Sequence, residues 1–126
     1  MKATKEEILK DLEQFHGSET IYKIPLIQTR YTEGLKYLAN AAECYWLITD
    51  VSAIARSLMA KSYFITVDFR RLPEDNQDFT GYEAEIQYSD GDGNIFETHR
   101  YNVTDFPLDE LRLFFVDGTL MLPGEY

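Results

Sequence analysis

Through the first sixty residues apolar side chains recur three or four positions apart, and beyond them they recur at every second position. The change of period divides one expected domain, residues 1–126, into a helical half, about 4–60, and a sheet half, about 62–122. In the first stretch Ile8, Leu9, Leu12 and Phe15 form an apolar stripe on a face otherwise filled by Lys and Glu. Thr4 is placed to cap that helix, Glu6 and Glu7 fall in its first turn where the dipole favours acids, and Gly17 reads as its terminator. Residues 18–31 are rich in apolar side chains, but Pro25 forbids a regular helix, so an extended segment packed over the core is expected there. Thr32 then caps a second helix running to about Cys44, with Leu35, Leu38, Ala39 and Ala42 as its stripe. A third helical stretch, about Tyr45–Ala60, carries Leu47, Ile48, Val51, Ile54, Ala55, Leu58 and Met59. Spacing alone leaves open whether these two are separate helices or one bent one.

Strands follow. Tyr63, Ile65, Val67 and Phe69 alternate with Phe64, Thr66, Asp68 and Arg70, and Tyr82, Ala84, Ile86 and Tyr88 alternate with Glu83, Glu85, Gln87 and Ser89. Residues 71–81 are a loop on composition, Asp90 to Asn94 a turn, and Ile95 to Val103 the returning strand. Thr104 to Asp109 connects, around Pro107, to a strand over Leu111–Val116, and Asp117-Gly118 signals a hairpin into Thr119–Leu122. Helices followed by a run of strands predict an α+β fold in two layers, the helices on one face of a four- to five-stranded antiparallel sheet.

Charge sharpens the picture. Residues 1–66 hold eight acids and eight bases, whereas residues 67–126 hold fourteen acids against four bases, Arg70, Arg71, Arg100 and Arg112, and so carry the whole formal charge of −10. If Ala84, Ile86 and Tyr88 face the helices, alternation turns Glu83 and Glu85 outward beside Asp68 or Arg70, continuous with Asp90 and Asp92. Acids on a solvated sheet face serve solubility in many proteins. A bias confined to one half also suits contact with a basic partner, and it disfavours direct binding of nucleic acid or anionic lipid.

Signatures of chemistry are few. Asp90, Asp92 and Asn94 fall at the first three ligand positions of a calcium loop, but Ile95 stands where Gly is needed and Tyr101 where Glu is needed, so a turn is expected and no metal. His16 and His99 have no ligand spacing, Cys44 lies in an apolar stretch and reads as a buried structural thiol, and no phosphate-binding glycine loop or cofactor motif is present. The lone cysteine, the lack of a signal-peptide pattern and the lack of a long apolar run predict a cytoplasmic chain with no membrane contact.

Four blocks are distinctive: Tyr31-Thr-Glu-Gly34-Leu-Lys-Tyr-Leu38, Tyr45-Trp-Leu-Ile48, Thr104-Asp-Phe-Pro-Leu108, and Asp117-Gly-Thr-Leu-Met-Leu-Pro-Gly-Glu-Tyr126. Together they resemble a family of short bacterial and phage proteins of unknown function, over about Leu12 to the last residue. The resemblance implies a stand-alone cytoplasmic domain borne on mobile elements, and it transfers no functional residue. By analogy, small acidic proteins in that setting are frequently inhibitors of host defence. The leading expectation is therefore a non-enzymatic module whose acidic face, Asp68, Glu83, Glu85, Asp90 and Asp92, occupies a basic nucleic-acid-binding groove on another protein, as an anti-CRISPR or anti-restriction inhibitor would. The alternative is a small-ligand binder or sponge with a tyrosine-lined pocket between helices and sheet, and an unrecognised enzyme comes third.

Overall fold

The computed structural model describes residues 3–16, 20–73, 75, 81–102 and 106–126. Three helices, α1 (Lys5–Leu12), α2 (Glu33–Ala41) and α3 (Tyr45–Ser57), pack against a sheet of seven strands. These are β1 (Ile21–Ile24), β2 (Thr29–Thr32), β3 (Phe64–Arg71), β4 (Ala84–Ser89), β5 (Ile95–Tyr101), β6 (Glu110–Val116) and β7 (Thr119–Met121). A single 3-10 turn, Pro123–Glu125, follows.

The helices form where the apolar period predicts. Thr4 caps α1 in a reciprocal box, its hydroxyl accepting from the Glu7 amide while the Glu7 carboxylate accepts from Thr4. The Gly17 terminator lies outside the described residues. α2 and α3 are separate helices, divided at Glu43, whose φ of 51° breaks the helical path. Thr32 precedes α2 as expected but caps nothing within it, since its hydroxyl donates to Glu125 Oε1 at 2.6 Å. Glu125 also accepts from the Gly34 amide at 3.3 Å and from the Leu122 amide at 3.1 Å. A carboxylate from the end of the chain thus satisfies the start of α2, where orphan amides and the helix dipole favour an anion.

The sheet order is β1-β2-β7-β6-β3-β4-β5. The α+β class stands, but the sheet is larger than the four to five antiparallel strands predicted, and it is mixed. β1 and β2 form a hairpin within the stretch read as merely extended, and β2 then pairs parallel with β7 through Arg30↔Thr119 and Tyr31↔Leu120. Each of the two strands has only four residues, too few for alternation to emerge, and Pro25 sits in the turn between them. The β6–β7 hairpin turns at Asp117 and Gly118, with φ of 50° and 76°, the geometry that Asp-Gly supplies.

One side of the sheet shares its core with the helices: Ile65, Val67 and Phe69 of β3, Ile86 and Tyr88 of β4 and Leu113 and Phe115 of β6 meet Leu35, Leu38, Leu47, Ile48, Val51 and Ala55. Cys44 is buried as expected, its thiol directed at the Leu38 carbonyl at 3.6 Å. Residues of the other parity, Thr66, Asp68 and Arg70, pair across β3 with Phe114, Arg112 and Glu110 of β6 and with Ser89, Gln87 and Glu85 of β4. Among the described residues no helix is long and apolar enough to cross a membrane.

Candidate functional site

The five acids singled out from the sequence do not form an open acidic face. Asp68 accepts from Arg112 Nε at 2.7 Å, and that pairing holds the guanidinium above its ordinary range. Glu85 is nearly buried, with Arg70 Nη2 at 2.7 Å on one side and Arg100 Nε at 3.9 Å on the other. Register explains the row, because Arg70 of β3 and Arg100 of β5 are the cross-strand partners of Glu85 in β4. Glu83 precedes β4, with Arg71 Nη1 at 3.5 Å. Arg71 also donates to the Phe106 carbonyl and lies 3.4 Å from Asp109. The four bases of the acidic half are thus placed on its acids, three of the five singled out among them.

Asp90 and Asp92 lie in the β4–β5 turn. The Asp90 carboxylate accepts from the Asn94 side chain at 2.6 Å and from the Asp92 amide at 2.8 Å, which lowers its pKa. It is committed to its own turn, as an Asx-type loop requires. Asp92 is exposed.

Another group of chemistry-bearing side chains gathers where α3 crosses β4 and β5. Trp46 and Asp50 stand one turn apart on α3 and so share a face. Glu97, His99 and Tyr101 alternate along β5 on the side that pairs with Tyr88, Ile86 and Ala84. The elements meet through two contacts: Tyr101 donates to Asp50 Oδ2 at 3.3 Å, and the Tyr101 and Trp46 rings lie 5.9 Å apart. His99 Nε2 is 2.7 Å from Glu97 Oε2, and the His99 ring meets Tyr88 edge-on. Arg100 points to the opposite face, as alternation predicts. Beneath this group the Tyr88 hydroxyl is fully buried and has no hydrogen-bond partner among the described residues.

Burial pushes Tyr88 well up, and the nearby Tyr101, Asp50 and Glu97 add to it in that order. Tyr101 is pushed up to about 12, first by burial and then by the charge and hydrogen bond of Asp50. The arrangement is an aromatic corner bearing one carboxylate, Asp50, with Trp46 37 % exposed, and Glu97 lies further along the same face of β5 against His99. A cation placed there would find charge in Asp50 and ring faces in Trp46 and Tyr101. Sequence reading passed over it, although the i, i+4 spacing of Trp46 and Asp50 and the alternation of Glu97, His99 and Tyr101 were visible signals.

A pH dependence follows. Because the folded state raises Tyr101 above the ordinary phenol value, its contribution to stability is complete below about pH 10 and is lost as pH rises through 12. In an alkaline titration followed by NMR, Tyr101 should ionise near 12, and Asp50→Asn should bring it only partway back, since burial is the larger cause. Ionisation near pH 10 in the unmodified chain would contradict the described packing of Tyr101.

The model of a family of unknown function, DUF6876, matches residues 6–126. The match spans nearly the whole chain, and the chain belongs to that family. No curated protein and no solved structure matches.

Proposed function

We propose that this member of a family of unknown function is a non-catalytic binding module that takes a basic segment of another protein. The observation that carries the reading is the Asp50 carboxylate set against the Trp46–Tyr101 pair, with Glu97 further along the same face of β5, so that a Lys or Arg side chain of the partner would enter beside Trp46 and Tyr101. This moves the contact away from Asp68, Glu83 and Glu85, whose carboxylates are paired with arginines, while keeping the class of partner that a charge of −10 suits. Inhibition of a nucleic-acid-binding protein in host defence is the sharper form of the proposal, and net charge and analogy are its support. A small-ligand role is favoured by a separate cleft, whose described lining residues include no tyrosine.

Trp46 is the chain's one tryptophan, so its fluorescence reports on the corner. Titration with a short Lys/Arg-rich peptide should give a saturable change in emission at low salt. Raising ionic strength from about 20 to 300 mM should weaken the affinity roughly tenfold, because the Debye length shrinks below the spacing of the charges. An acidic peptide of equal length should leave the emission unchanged. A basic peptide that leaves Trp46 unaltered at low salt would remove the basis of the proposal.

A further inference from the structure

Away from the aromatic corner, a cleft of about 620 Å³ opens between the β1–β2 turn, the end of α3 and the β6–β7 hairpin. Lys23, Arg30 and Arg56 line it, and among the described lining residues Asp117 is the only acid. Three cations against one anion is a local charge of +2 on a chain whose total is −10.

Lys23 and Arg30 are direct cross-strand partners in the β1–β2 hairpin, a placement that repels. Arg30 is held in position by donating from Nη2 to the Asp117 carbonyl at 2.5 Å, and Arg56 by donating from Nη2 to Gln28 Oε1 at 3.0 Å. Each guanidinium uses an N–H in that contact and keeps others for a ligand.

Gln28, with φ of 56°, turns the chain sharply between the two strands. The three cations stand beside an apolar wall of Ile24, Pro25 and Met59.

We infer that this cleft binds a small organic phosphate monoester. The dianionic head matches the local +2, and two guanidinium groups and an ammonium supply charge-assisted donors. The organic body lies against Ile24, Pro25 and Met59, and the volume falls within the range of small-molecule sites. The inference is independent of the basic-partner reading, since the two sites share no residue and prefer ligands of opposite charge.

Calorimetry on the full chain tests it, with phenyl phosphate, inorganic phosphate and phenylacetate as probes. Phenyl phosphate should bind one saturable site, and more tightly than either comparison, because only it offers both the dianion and the body. Lys23→Gln with Arg56→Gln, at two exposed positions, should keep the fold and weaken phenyl phosphate at least about tenfold. Absence of saturation, equal binding by the charge variant, or phenylacetate binding as tightly as phenyl phosphate would each overturn the assignment.

Discussion

Gly34→Ala is expected to lower the thermal midpoint by about 10 °C. A Cβ at Gly34 would stand 2.5 Å from Glu125 Oε1 and 2.5 Å from Leu122 Cδ1, both far inside contact distance. Glu125 is flexible enough to swing aside, but moving it gives up its bonds to Thr32, Leu122 and the Gly34 amide. Leu122 has less freedom, being 5 % exposed and part of the core. Overpacking costs about 1–3 kcal/mol, and the displaced carboxylate bonds about 1 kcal/mol more. For a chain of this length each kcal/mol moves the midpoint by roughly 3–5 °C. Differential scanning calorimetry of the variant measures it. A midpoint within about 2 °C of the unmodified protein would mean that the closing turn does not grip α2 as described.

That grip shows where sequence reasoning succeeds and where it ends. Thr4 with Glu7, the apolar stripes of α2 and α3, the alternation in β3 and β4, and the Asp117-Gly118 turn are local patterns, and each lies where the pattern places it. Thr32 was legible as the residue before a helix, but its partner Glu125 is 93 positions away and no local rule pairs them. The same limit hid β1 and β2, because four residues carry no period and a parallel pairing with β7 joins distant segments.

Charge was misread for a related reason. Composition counted fourteen acids and four bases in the second half, and the count is right. Register then sets Arg70 and Arg100 on either side of Glu85, and Arg112 opposite Asp68, so the few bases meet the acids chosen as a site. The alternation that turned Asp68 and Glu85 away from the core was sound, but which arginine stands opposite is a property of strand pairing. Asp50 escaped notice because it sits on a helix and its partner Tyr101 on a strand, and only the packing of α3 on β5 brings Asp50 and Trp46 to Tyr101.

The central claim is that a basic partner is held at the α3–β5 corner and not by the acidic half as a whole. Two double variants with equal change of net charge separate these possibilities. Asp50→Asn with Glu97→Gln empties the corner of carboxylates, while Glu83→Gln with Asp92→Asn removes two of the acids first expected to form the face. Each leaves a formal charge of about −8, so the long-range field is reduced alike and encounter rates should fall alike. Loss of close, partly desolvated charge contacts acts instead on dissociation and costs about 2 kcal/mol or more. The most direct measurement is the affinity of the basic peptide for the two variants at low salt, read by calorimetry so that no fluorophore is involved. The account predicts a loss of about thirtyfold for the Asp50/Glu97 variant and less than about threefold for the Glu83/Asp92 variant. Equal losses, or a larger loss for Glu83/Asp92, would contradict it.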